Sequence, residues 1–132
     1  MLSKPTDSEL EILHILWEMG PSTVRTVNDR LNEQRRSSQS AKESAGYTTT
    51  LKLMQIMFEK GLVTRVEEGR THAYTASVRE SDTKGLLLQQ FVDNAFRGST
   101  ARLVMQALGN HEASTEELDE IKALIAKIEQ GK

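Results

Sequence analysis

The sequence contains no cysteine, which excludes disulfides, cysteine-bearing zinc sites and thiol nucleophiles together. Aromatic residues make up only 5% of it, so any core is built from aliphatic side chains and methionine. No apolar run approaches the roughly 18 to 20 residues that span a membrane. The N-terminal stretch MLSKPTDSEL lacks the apolar centre of a signal peptide, and the cytoplasm is the expected location. Signatures of catalysis are missing as well: there is no Gly-rich phosphate loop, no nucleophile elbow and no His-Glu-x-x-His. Glu67 and Glu68 adjoin one another in an expected turn, not across a cleft. His14, His72 and His111 fall in three different elements and make no metal set. The expectation is a non-enzymatic protein without metal or cofactor.

What is present fits a soluble globular protein. The 132 residues are 37% hydrophobic and 27% charged, enough for one compact domain or two small lobes. The net charge of −2 speaks against nucleic acid until it is divided by region. Residues 22–79 carry a net +4, and the segments on either side carry −3 each. Phosphate affinity follows local basic surface more than whole-chain charge.

Thr6-Asp7-Ser8-Glu9 fits a capping box, opening a helix to about Met19 with Leu10, Leu13 and Trp17 on one face. Leu13, Leu16 and Trp17 are expected in the core. Gly20-Pro21 stops that helix, and Ser22 is placed to cap a second one, ending near Arg35, with Val24, Val27 and Leu31 in register. RRSSQSAKESAG, residues 35–46, is Ser-rich and aperiodic and reads as a loop, in which Arg35, Arg36 and Lys42 add basic charge. A third helix is expected over 48–60, closed by Lys60-Gly61. Two short strands near 62–67 and 72–77 follow, with Glu68-Gly69 as their turn. Three helices and a hairpin in this order form a winged helix-turn-helix, the third helix being the recognition helix and the hairpin the wing.

On the third helix, Leu51, Leu53, Met54, Ile56, Met57 and Phe58 cover most of the helical wheel. Thr48, Lys52, Gln55 and Glu59 share the narrow remainder, which is the face left for a groove. Lys52 and Gln55 suit base edges, because Lys reads guanine and Gln adenine. Thr48 and Thr49 lie near the helix N-terminus, where phosphate is favoured. Arg65, Arg70 and His72 flank or occupy the hairpin, and Arg70 is the expected wing contact.

The remainder is expected to be helical. Ser81 or Asp82 caps a helix to about Phe96 that bears Leu88, Phe91 and Val92. Gly98-Ser99 leads into a short helix with Leu103, Val104, Ala107 and Leu108, ended by Gly109-Asn110. Ser114-x-x-Glu117 is a second capping box, and Leu118, Ile121, Ile125 and Ile128 then form a short a/d seam. Three helices of this length have little core of their own. The expected organisation is mainly α: a winged-helix DNA-binding domain over 1–79 and a helical dimerisation domain over 80–132. Leu88, Phe91, Val92, Leu118, Ile121, Ile125 and Ile128 are its expected dimer interface.

DSELEILHILWEMGPSTVRTVNDRLNE, YTTTLKLMQIMFEKGLVTR, EGRTHAYTAS and GSTARLVMQAL, in this order and spacing, resemble the BlaI/MecI family of penicillinase and methicillin-resistance repressors. The resemblance implies a winged helix, a C-terminal dimerisation region, binding of a homodimer to palindromic double-stranded operator DNA, and regulation by a membrane-bound sensor metalloprotease that leads to repressor cleavage. The sequence departs from the family at several points. The 35–46 segment is long, and Leu51 stands where the founding members have Arg. Gln106-Ala107 occupies the position of the Asn-Phe cleavage pair. The cysteine-rich C-terminus of the copper-responsive branch is absent.

Two functions suit these features: a dimeric operator-binding repressor, and a winged helix used as a protein–protein adaptor. The basic 22–79 block favours the first, since an adaptor has no need of it.

Overall fold

A computed structural model describes residues 4–38, 43–110 and 112–131. Its element order is α1 (Asp7–Met19), α2 (Val24–Ser37), α3 (Tyr47–Lys60), β1 (Val63–Glu68), β2 (Thr71–Ala76), α4 (Glu80–Ala95), α5 (Thr100–Asn110) and α6 (Thr115–Gln130). Three helices and a two-stranded antiparallel wing make the first part a winged helix-turn-helix. The chain divides after Leu87, within α4, into two compact units.

In the first unit, Ile12, Leu13, Ile15 and Leu16 of α1 meet Val24, Val27 and Leu31 of α2, Met54 and Met57 of α3, and Leu62, Val63 and Tyr74 of the wing. Trp17 packs against this core half-buried, its indole N–H donating to the Val78 carbonyl at 2.9 Å. The Thr6/Glu9 capping box that opens α1 is formed. Glu9 is only 2% exposed and pairs with Lys60 Nζ at 2.6 Å, which ties the start of α1 to the end of α3. Burial alone would raise the Glu9 carboxyl; the hydrogen bonds from Lys60 and the Thr6 backbone outweigh it and hold it below the ordinary carboxylate value.

Several local expectations are revised. Thr23, not Ser22, caps α2, its hydroxyl accepting from the Thr26 N–H. Ser22 is engaged elsewhere: its backbone pairs with Tyr74 through hydrogen bonds of 3.0 and 2.8 Å, extending the wing by an isolated bridge. α2 continues past Arg35 to Ser37. Arg35 is therefore helical, and it bonds Glu11 at 2.9 Å and the Glu43 carbonyl at 2.8 Å. It braces α1 against the approach to α3 and is not a free loop charge. The central part of the expected loop, with Lys42, lies outside the described residues, as does His111.

α3 is positioned from both ends. The Asn32 side chain clamps Ala45 with two hydrogen bonds, donating to its carbonyl at 2.8 Å and accepting from its N–H at 2.7 Å. Gly61 follows the helix in the left-handed region, φ 83°. The Gly61 N–H bonds the Phe58 carbonyl and the Leu62 N–H the Met57 carbonyl, a Schellman closure that brings buried Leu62 back onto buried Met57. Mid-helix, Thr50 is fully buried and its hydroxyl donates to Asn28 Oδ1 at 2.6 Å. Asn28→Ala leaves that hydroxyl without a partner and is expected to destabilise the fold by about 1–3 kcal/mol. Urea unfolding measures it, and Asn28→Ala/Thr50→Val is expected to recover most of the loss.

The wing pairs Val63 with Ala76 through to Glu68 with Thr71. Its two-residue loop is Gly69-Arg70, one residue later than expected from the sequence. Gly69 has φ 62° and Arg70 is not in the positive-φ region, which suits a hairpin loop that begins on glycine.

In the second unit, Gly98 (φ 85°) and Arg97 (φ 51°) turn the chain between α4 and α5. α4 starts at Glu80, so Ser81 and Asp82 lie in its first turn, not ahead of it. The Ser114/Glu117 capping box opens α6 as expected. No residue of α5 or α6 is buried among those described.

Candidate nucleic-acid interface

The outward face of α3 carries Thr48, Thr49, Lys52, Gln55 and Glu59, all exposed. None of these side chains is held by a hydrogen bond or ion pair among the described residues, so the donors of Lys52 and Gln55 are free to engage a ligand. The wheel's apolar excess does not all go inward. Thr50, Met54 and Met57 are buried and Leu51 and Leu53 half-buried, while Ile56 is 37% and Phe58 38% exposed. Ile56 joins the outward face, four residues on from Lys52, where it can meet a thymine methyl group.

Gly46, which precedes α3, supplies no side-chain cap. The first-turn N–H groups of α3 thus stay available at the positive end of the helix dipole, beside Thr48 and Thr49. Arg25, in the first turn of α2, stacks over the exposed Tyr47 ring at 5.3 Å. Arg70 projects from the tip of the wing, exposed. Arg65 is not an equivalent contact: it is half-buried and lies 4.1 Å over the Phe58 ring, joining β1 to α3. A cleft of about 330 Å³ lies between these elements, lined by residues that include Thr23, Arg25, Tyr47, Arg70, Thr71 and His72.

The structure thus brings the N-terminal part of α3, the first turn of α2 and the wing tip to one surface. Thr48, Thr49, Lys52, Gln55 and Arg70 lie on elements that build it. Arg25, Tyr47 and Ile56 are additions that the sequence reading missed. Arg25 and Tyr47 are 22 positions apart, and only their tertiary stacking reveals them. Ile56 is apolar, and helical period alone does not set it apart from the buried residues of α3. Among the described residues, no cluster of His, Cys, Asp or Glu is arranged to hold a metal ion. No helix there is long and apolar enough to cross a membrane.

The penicillinase repressor family model matches residues 5–127. The chain belongs to the penicillinase repressor, or BlaI/MecI, family. It is 25% identical to the penicillinase repressor of Bacillus licheniformis over 121 residues, covering 91% of this chain and 88% of that one. It is 25% identical to the transcriptional regulator BlaI of Mycobacterium tuberculosis, covering 98% and 88%. A solution structure of the DNA-binding domain of the repressor BlaI superposes with a TM-score of 0.49 at 24% identity, over 62% of this chain and 93% of that domain. Membership of the penicillinase repressor family makes this chain a DNA-binding transcriptional repressor.

The seven residues expected at a dimer interface divide by exposure. Leu88, Phe91, Leu118, Ile125 and Ile128 are exposed, and Ile121 is half-exposed. Val92 is 2% exposed: a single chain already covers it, so it serves as core and offers no surface to a second copy. Leu124, 57% exposed, presents the larger apolar area on α6.

Proposed function

We propose that this repressor acts in the cytoplasm as a homodimer on a two-fold symmetric operator. The observation that carries the dimer is the exposure of α5 and α6. Val104, Met105, Leu108, Leu118, Leu124, Ile125 and Ile128 are all between 38% and 72% exposed in one chain. Apolar side chains this exposed on both helices are unfavourable in water and are normally covered by a partner, and a second copy supplies a matching stripe. Two recognition helices then enter successive major grooves about 34 Å apart. Thr48, Thr49 and Arg70 position the backbone, while Lys52, Gln55 and Ile56 read base edges.

Selection of bound duplexes from a random pool tests this reading. Enrichment of a two-fold symmetric motif with half-sites one helical turn apart is the expected outcome. No enrichment by a folded dimer would give α3 to a protein partner, as an adaptor uses it. On the selected site, Lys52→Ala is expected to lose about 1–3 kcal/mol of discrimination and far less affinity for unrelated DNA. Equal losses on both would reduce Lys52 to a phosphate contact. Ile125→Glu is expected to shift sedimentation toward monomer and lower operator affinity without changing the melting of the winged-helix lobe. A dimer that persists in dilute solution would remove α6 from the interface.

The same reading assigns release from DNA to a membrane sensor metalloprotease acting at α5. Gln106 and Ala107 are exposed there but helical, so cleavage requires α5 to open locally. Gln106-Ala107 stands in place of the family's Asn-Phe pair, so such a protease would have to accept a different bond; a cut there would separate α6 from the DNA-binding lobe.

A further inference from the structure

Among the described residues, two buried side-chain polar atoms have no hydrogen-bond partner: Gln90 Oε1 and His72 Nδ1. His72 stands on β2, at the DNA-facing end of the winged helix. Such unmet ring nitrogens are uncommon in folded proteins, and this one borders the cleft lined by Thr23, Arg25, Tyr47, Arg70 and Thr71. The ring is half-buried with Nδ1 covered, so its accessible edge is the one bearing Nε2. No carboxylate lines the cleft. Arg25 contributes a guanidinium from α2, Arg70 a second from the wing tip, and Thr23 and Thr71 add hydroxyls. Neither arginine is in an ion pair among the described residues; the one contact of Arg25 there is the face of Tyr47. Two unpaired guanidinium groups, hydroxyls and an imidazole around one concavity form a donor set for a tetrahedral oxyanion.

We infer that this cleft seats one phosphodiester of the operator backbone, with His72 as a proton-dependent donor to it. The inference rests on the repressor reading above and adds to it a regulation by pH. Imidazole changes charge between about pH 5 and 8. The charged or titratable groups around His72 are Arg25 from α2, Tyr47 from α3, Arg70 from the wing loop, Tyr74 on its own strand, and Glu67, its cross-strand neighbour on β1. A phosphate that enters the cleft places negative charge beside the ring and neutralises Arg25 and Arg70. Phosphate binding and protonation of His72 therefore promote one another, and by linkage the coupling is reciprocal. A proton taken up at His72 adds one cation to the backbone contacts, so DNA binding tightens as pH falls.

The test is the affinity of the full chain for its selected operator duplex, measured by fluorescence anisotropy against salt at pH 5.5 and pH 8. Wild type is expected to bind severalfold tighter at pH 5.5, with a log–log salt slope steeper by about 1.8, the increment for one more phosphate contact on each subunit of the dimer. His72→Gln is expected to abolish both differences between the two pH values. Arg25→Gln is expected to weaken binding at both pH values. The His72 ring resonance of wild type, which requires no variant to fold, is expected to move when the duplex is added at pH 6.5. Operator binding with the same affinity and slope at both pH values overturns the phosphate seat and leaves the repressor reading standing. Differences that persist in folded His72→Gln, or a ring resonance unmoved by DNA, overturn it likewise. Unchanged operator binding in both variants, with inorganic phosphate shifting the His72 ring, would give the cleft to a small free anion. Absence of operator binding by folded wild type at either pH overturns the repressor reading itself.

Discussion

Raising salt from 50 to 200 mM is expected to weaken operator binding by on the order of a thousandfold. The reason is counterion release. Each cation that neutralises a DNA phosphate frees a condensed ion, and the logarithm of affinity falls with the logarithm of salt by about 0.9 per contact. Arg25, Arg70 and Lys52 bring three exposed cations to the DNA on each subunit, so a dimer makes about six such contacts. Six contacts give a slope near −5, and a fourfold rise in salt then produces the stated loss. The chain's net charge of −2 does not oppose this, because phosphate affinity follows local basic surface and residues 22–79 carry a net +4. Anisotropy titrations over that salt range measure the slope directly. A slope near zero would mean that the polar face of α3 meets a protein surface, and the adaptor reading would replace the operator dimer.

Features carried by contacts three or four residues apart were legible in the sequence. Both capping boxes, Thr6/Glu9 and Ser114/Glu117, stand where the residue spacing places them. The glycine closure of α3 and the order of helices and wing follow the same local logic. Features carried by distant contacts were not legible. Ser22 and Thr23 are adjacent hydroxyls, and either could cap α2 on propensity alone. The backbone pairing of Ser22 with Tyr74, 52 positions away, decides for Thr23. Arg35 looks like a loop charge until Glu11 is seen across from it. Thr50 looks like one more solvated threonine in TTT, yet Asn28 draws its hydroxyl into the core.

The candidate site divides along the same line. Lys52 and Gln55 were found because helical period isolates a face. Arg25 was not, because its position beside Tyr47 depends on how α2 packs against α3. Val92 shows the converse error. Its spacing with Leu88 and Phe91 matches an exposed stripe, but the chain covers it without a partner.

Lys60→Met is expected to be the most damaging single change in the winged-helix lobe. Glu9 is 2% exposed, and the Lys60 ammonium at 2.6 Å is its charged partner in the core-facing site. Removing one member of a buried pair leaves the other charge desolvated, and such losses run to about 3–5 kcal/mol. Lys60 keeps 29% of its side chain exposed, which puts the expected loss at the lower end, about 3 kcal/mol, or a fall in Tm of more than about 10 °C for a lobe of this size. The pH dependence gives a second, sharper signature. In wild type the Glu9 carboxyl is held below its ordinary value. The stability it contributes is fully present above the unfolded-state value, about 4.3, and is lost as pH falls through the lower folded-state value. In Lys60→Met, burial is opposed only by the Thr6 hydrogen bonds, and the carboxyl moves upward instead. The variant's deficit is then largest at neutral pH and shrinks on acidification, as protonation removes the uncompensated charge. Urea unfolding at pH 7 and pH 5 measures both effects. Glu9→Gln/Lys60→Met is expected to recover part of the loss at pH 7, because the amide needs no counter-charge. A deficit equal at the two pH values, with no recovery in the double variant, would mean that Lys60 acts through its aliphatic stem and its bond to the Lys4 carbonyl, and that the Glu9 charge is not what ties α1 to α3.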